Sequence, residues 1–324
     1  MNRKHKSIIL LKLLYIMILL LFSFYTCGEN SLTLEEQRKF ELAIYNNDEN
    51  YINYILSKTI DLNNEKKYIH LPLVVAVSVN NLKMIKQFIE YGANINQIDY
   101  IGCTCLVYAN SLEVARFLID NGAEIDYVNI FQSTPLDYFI RQNHDITKLL
   151  IEHGADINKI NKRGHTPIFE TVLEDDYEAF KLLVDNKADL SIVDNYGMNL
   201  LNLFAFKSCD IRIAQVLLDN GVSIFNKAGA NNNCLIIASF GARKNISDKI
   251  KFVKYFISKG IDINMQNNVG DTALHAAVVR NQYEISKFLL ESGADKNITN
   301  NESKTPLQIA ETQNYESLIE LLSH

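Results

Sequence analysis

Five cysteines, seven histidines and one run of three acidic residues are the side chains from which this 324-residue chain could build a reactive or metal-binding centre. Cys103 and Cys105, separated by one residue, resemble half of a thiolate metal site, but no second cysteine or histidine pair stands at a spacing that completes it. Structural thiols are therefore expected at Cys103, Cys105, Cys209 and Cys234. Glu174-Asp175-Asp176 reads as a solvated charge cluster in a turn rather than a cation site. No serine–histidine–acid arrangement, phosphate-cradling glycine loop or carboxylate pair emerges around His144, His153, His165 or His275. The expectation is a chain with no catalytic residues, no metal, no cofactor and no small-molecule substrate.

Composition points to a folded chain that avoids nucleic acid. Hydrophobic residues make up 48% and charged residues 22%, enough for a sizeable core and too apolar for wholesale disorder. The formal net charge is -6. Four of the basic residues (Arg3, Lys4, Lys6, Lys12) precede position 27 with no acidic partner; without them 28 basic residues face 38 acidic ones, a balance of -10. Such a surface repels phosphate backbones.

Residues 1–27 read as an address. A basic start, MNRKHK, leads into an apolar run, Ile8–Tyr25, interrupted by Lys12. About 12 unbroken apolar residues follow from Leu13, short for a bilayer span and suited to a signal core. Cys27, followed by Gly28 and polar residues, resembles a bacterial lipoprotein processing site, although Phe24, Tyr25 and Thr26 are larger than the residues such sites prefer. The resemblance implies export, lipidation of Cys27 and membrane association through the N-terminus. The alternative is a single uncleaved N-terminal anchor, with Lys12 reaching the interface. Residues 28–33 would then be a short linker.

Beyond position 33 the chain repeats itself. A Gly-Ala-x-Ile-Asn-like phrase begins at Gly92, Gly122, Gly154 and Gly293, with weaker copies at Thr59, Lys187, Gly221 and Gly260. A Thr-Pro-Leu-like phrase begins at Thr134, Thr166, Thr272 and Thr305, with weaker copies at Leu71, Thr104, Asn199 and Asn233. From each first phrase to the next second phrase is 12 residues in all eight cases, whereas the return leg varies from 18 to 27. A rigid leg is a geometrically pinned connector, and a drifting leg is a loop that tolerates insertion. Proline at the first helical position (Pro135, Pro167, Pro306) costs no hydrogen bond, and glycine after the second helix allows a left-handed turn.

These phrases resemble the ankyrin repeat over roughly residues 33–324, with Gly270–Asn297 the best single copy. The resemblance implies an all-α solenoid of stacked antiparallel helix pairs joined by short β-hairpin loops. The array would cover residues 34–324 with about nine helix pairs, including a first pair opened by the capping-box pattern Thr33–Glu36. His275 fills the motif histidine, whose family role is to bond the neighbouring hairpin backbone. Cys105 and Cys234 fall four repeats apart, roughly 40 Å at about 10 Å per layer, too far for a disulfide. Lys187, standing where glycine is usual, is expected to carry a left-handed backbone. The repeats around 194–259 depart furthest from the pattern, and FGARKNISDK there reads as a drifted surface loop. Sequons at Asn245, Asn297 and Asn301 matter only in a eukaryotic secretory pathway.

The family resemblance implies a non-enzymatic module that binds a protein partner; an envelope or periplasmic scaffold or chaperone-like protein is the alternative. Residues four and three before each second phrase sit at the hairpin tips. They supply Tyr100 and Ile101, Ile130 and Phe131, then Tyr196, with Met198 close behind. Apolar tips of this kind are the candidate partner-binding residues, since aromatic side chains dominate interface hot spots.

Overall fold

The computed structural model describes residues 32–58, 60–63, 71–207, 210–240 and 246–324. Cys27 and the address segment lie outside the described residues, as do Thr59, Cys209 and residues 241–245 of the expected loop, Asn245 among them; the end of that segment, from Ile246, is helix rather than loop. The chain divides into two compact units, one ending at Ile130 and the other running from Phe131 to His324.

Helix starts are fixed by reciprocal caps. Thr33, Thr134, Thr272 and Thr305 accept a hydrogen bond from the amide three residues on, and the side chains of Glu36, Asp137, His275 and Gln308 accept one from the cap amide. Each box satisfies two amides that a helix start leaves bare. Proline follows at Pro72, Pro135, Pro167 and Pro306, where no amide is needed. First helices stop on Asn47, Asn80, Asp175, Asn281 and Asn314, all in the left-handed conformation that Asn and Asp tolerate. Second helices then begin on Asp48, Asn81, Ser111, Asn143, Asp176 and Asp210, each accepting from a first-turn amide. The acidic run Glu174–Asp176 is thus part of this stop-and-start device.

In the first unit these rules give α1 (Leu34–Asn46), α2 (Glu49–Leu56), α3 (Pro72–Ser78), α4 (Leu82–Glu90), a 3-10 turn at Cys105–Tyr108 and α5 (Leu112–Asp120). The 3-10 turn stands where a first helix is expected. Its repeat has the shortest return leg, and the chain turns extended at Ala109 to start α5 on time. Phe40 and Phe88 centre the core, their rings 6.0 Å apart.

In the second unit the pairs are α6 (Pro135–Phe139) with α7 (His144–Glu152), α8 (Pro167–Glu174) with α9 (Tyr177–Asp185), and α10 (Leu200–Lys207) with α11 (Ile211–Asp219). They continue with α12 (Cys234–Phe240) and α13 (Ile246–Ser258), α14 (Ala273–Val279) and α15 (Tyr283–Glu291), and α16 (Pro306–Thr312) and α17 (Glu316–Ser323). One apolar cluster threads these pairs, from Ile140 through Phe169, Phe180, Phe204 and Phe256 to Leu322. No single pair could bury such a face, so each depends on its neighbours.

The closing asparagine of the first phrase joins successive repeats. Asn63 receives the Asn94 amide at 2.6 Å and donates to the Gly92 carbonyl; Asn96 does the same for Glu124 and Gly122. Asn158 and Asn264 receive the amides of Asp189 and Asp295. Lys187 has φ +66°, the left-handed geometry expected of a residue replacing glycine there. Asn199 replaces the capping threonine together with Asn202, and their side chains exchange bonds with each other's amides. The two departures are one alternative cap.

Candidate functional site

The hairpins are built on the Asp or Asn that opens each turn. Five positions before the second phrase stand Asp99, Asn161, Asp194, Asn267 and Asn300, and each side-chain oxygen accepts two amides of its own hairpin. Asp194 Oδ1, for instance, takes the amides of Tyr196 at 2.8 Å and Met198 at 2.9 Å, and the others repeat the pattern. This side-chain turn stands the tip outward without strand pairing. Among the described residues no strand forms, and an isolated bridge joins Ala228 to Asn232.

Ala228 is the exception among these anchors. It has no side-chain acceptor, and its hairpin turns instead through a 3-10 segment, Gly229–Asn231, with φ +57° at Ala230 and +64° at Asn231. The hairpin is still pinned on both sides. Gly229 donates to the Tyr196 carbonyl at 3.0 Å, and Asn268 donates to the Ala230 carbonyl at 2.9 Å.

Tyr100, Ile130, Phe131 and Tyr196 are exposed, at 72%, 53%, 56% and 73%; Ile101 and Met198 are half-buried. In the first unit Ile130 donates its amide to the Ile101 carbonyl at 3.3 Å, which places those two tips side by side. In the second unit Tyr196 and Met198 share a groove. The hairpin bonded to Asn195 on its other side carries Lys162 and Arg163, so the apolar surface around Tyr196 runs toward the C-terminal repeats.

That groove has a cavity volume of about 400 Å³, walled by Tyr196 and Met198 and floored by Phe206, Ile236, Phe240 and Val279. Phe206, Phe240 and Val279 are exposed apolar residues that sequence reading missed. The signal was there: each lies seven residues after its second-phrase position, Asn199, Asn233 or Thr272, in the last turn of a first helix. Polar edges come from Asn232, Asn267 and Asp271, and the Arg280 guanidinium lies 4.0 Å from the Phe240 ring centre.

The groups with reactive potential are occupied structurally. Cys105 and Cys234 are buried, which pushes both thiols up to about 12; Cys103 is raised for the same reason, and burial of this kind makes a poor nucleophile. His165 lies between Glu170 at 3.4 Å and Asp194 at 3.5 Å, stacked on Phe169. Burial works to raise the Glu170 carboxyl, but the hydrogen bond from His165, and then the charge of the paired Arg141, hold it below its ordinary value. Among the described residues no group of three His, Cys, Asp or Glu is arranged to hold a metal ion, and no helix is long and apolar enough to cross a membrane.

A sequence profile for ankyrin repeats, in three copies, matches residues 40–129, 110–194, 136–228 and 235–324. The chain is 33% identical over 134 residues to a 26S proteasome regulatory subunit of Saccharomyces cerevisiae, covering 39% of this chain and 59% of that one. It is 30% identical over 116 residues to an ankyrin repeat protein of fowlpox virus, covering 36% and 26% respectively. An ankyrin repeat protein of Acanthamoeba polyphaga mimivirus is 24% identical over 272 residues, 79% of this chain and 34% of its own length. The chain therefore spans less than two thirds of each of these relatives. With the profile running through both units, this chain belongs to the ankyrin-repeat family.

Proposed function

We propose that this protein is a non-enzymatic binding module that presents hairpin tips and first-helix ends to a protein partner while its N-terminus holds it at a membrane. Ankyrin repeats mediate protein–protein interaction, which supports the first half. The observation that carries the reading is the apolar groove of the second unit, where Tyr196 and Met198 meet Phe206, Phe240 and Val279. A contiguous exposed apolar surface of this kind marks an interaction site, whereas isolated exposed side chains do not. Tyr100, Ile101 and Ile130 are the candidate binding tips of the first unit, and Phe131 is a further exposed apolar tip at the start of the second. The tether rests on residues 1–27, with Cys27 as the acylated residue of an exported bacterial lipoprotein.

Replacing Tyr100, Phe131 and Tyr196 together by serine tests the binding face. All three are mostly exposed, so thermal unfolding should stay nearly unchanged while partner capture in the native cell is lost. A fall in stability of several kcal/mol, or undiminished capture, would remove these residues from the binding face.

A further inference from the structure

We propose that the notch at the middle of the second unit's groove is a socket for one bulky apolar side chain, aromatic, leucine or methionine, carried by a partner segment with acidic neighbours. The inference rests on the reading of the protein as a binding module and names the chemistry of what it binds.

The notch arises from a size difference between successive tips. Four and three residues before the second phrase, consecutive hairpins carry Asn195–Tyr196, Gly229–Ala230 and Asn268–Val269. The middle tip is the smallest. Its backbone is bonded to both neighbours, Gly229 to Tyr196 and Asn268 to Ala230, so the hairpin is held in place and its small side chains leave the space beside Tyr196 unfilled. The hairpin keeps this form with two non-glycine residues, Ala230 and Asn231, at positive φ. That geometry costs roughly 1 kcal/mol or more for alanine, and such conformations gather at ligand clamps.

Size and chemistry select the occupant. A cavity of about 400 Å³ lies near the small end of pocket volumes. It accepts one large side chain and excludes a whole helix, which is about 10 Å across. The floor of Phe206, Ile236, Phe240 and Val279 matches an aromatic or branched apolar group. Basic residues adjoin lining residues in sequence although the chain as a whole carries -6, and the Arg280 guanidinium is placed at the groove by its contact with the Phe240 ring. Lys207 follows Phe206, Lys227 precedes Ala228, and Arg280 follows Val279 and covers the Phe240 ring. Among the described residues no carboxylate pairs with any of the three. Asp271 is the one carboxylate lining the groove, and its Oδ1 already accepts from Asn300 at 3.0 Å. Carboxylates beside the apolar anchor complement this rim and disfavour basic segments.

Gly229 offers a direct test. Its φ lies outside the left-handed region, and a Cβ there would meet only the Tyr196 carbonyl oxygen, at an ordinary 3.5 Å. Gly229→Leu therefore fits the backbone and fills the notch. The full-length chain in detergent is panned against short random peptides displayed on phage, and enriched peptides are synthesised for fluorescence titration. We expect each to contain one Phe, Trp, Tyr, Leu or Met flanked by Asp or Glu. Gly229→Leu and, separately, Arg280→Glu should weaken binding by about tenfold or more, with unchanged circular dichroism and unfolding midpoints. Absence of enrichment, enriched peptides that lack an apolar anchor or are basic, or full affinity in a folded Gly229→Leu protein would overturn the socket. Crosslinking from position 196 to a cellular protein separates the two readings. If that crosslink forms and survives Gly229→Leu, the binding face stands and the socket falls; if the wild-type crosslink never forms, both fall.

Discussion

His275 joins two repeats through a single imidazole: Nδ1 accepts the Thr272 amide at 3.2 Å, and Nε2 lies 3.1 Å from the Lys304 carbonyl of the next hairpin. Accepting at Nδ1 assigns the proton to Nε2, which then donates to Lys304 in the neutral ring. Burial, the largest cause, holds the pKa below its ordinary 6.5 against the opposing pull of the Lys304 carbonyl and Asp271. The unfolded chain thus takes a proton near 6.5 while the folded one resists. Stability from this residue is complete above about 6.5 and is lost as pH falls from there toward the lower folded value.

His275→Gln isolates that effect, because glutamine rebuilds the capping box in the form Thr305 and Gln308 use and does not titrate. The unfolding free energy of wild type minus variant should fall between about pH 7.5 and 5. Asp137 acts in the opposite sense, its carboxyl pushed up to about 6 by burial; its contribution is present at low pH and lost as pH rises through that value. It is common to both proteins and cancels. A difference that is flat or rises on acidification would show that His275 does not carry this linkage.

Lys187 spends its backbone in a conformation that favours glycine, φ +66°, with its side chain exposed. Lys187→Gly removes the Cβ conflict and should stabilise the second unit by about 1 kcal/mol, less the added freedom of the unfolded chain. Chemical denaturation reads the change as a higher midpoint at unchanged slope. A lower midpoint would mean the lysine contributes contacts that outweigh the strain.

The repeat register was legible because a 12-residue leg held constant over eight copies leaves little freedom in where helices begin. The positive φ at Lys187 followed from glycine at the equivalent positions, and the histidine bond to the next hairpin from the family pattern. Less visible was anything that depended on two departures compensating each other. Asn199 looked like a degraded cap until Asn202 appeared as its partner. Ala228 looked unremarkable because the role of Asp or Asn at that position, two amides on one side-chain oxygen, shows only in three dimensions. The floor of the groove was missed for a related reason. Phe206, Phe240 and Val279 sit in apolar helices where burial is the natural expectation, and the outward turn of the last helical residue is set by the stacking of neighbours.

Cys27→Ala tests the tether independently of the groove. If Cys27 is acylated, the variant should leave the membrane fraction or accumulate unprocessed, with a mass shift to match. Unchanged fractionation and unchanged mass would rule out the lipoprotein reading and leave the uncleaved anchor in its place.

The most direct measurement places a photoreactive phenylalanine analogue at Tyr196 in the native cell and identifies what it captures on irradiation. Tyr196 is 73% exposed at the wall of the groove, so the probe should leave the fold intact and reach any occupant. The predicted result is one discrete crosslinked protein, lost when Met198 and Phe206 are both replaced by serine. A smear of unrelated products, or no product from a folded and correctly located protein, would contradict the assignment of this groove as the binding site.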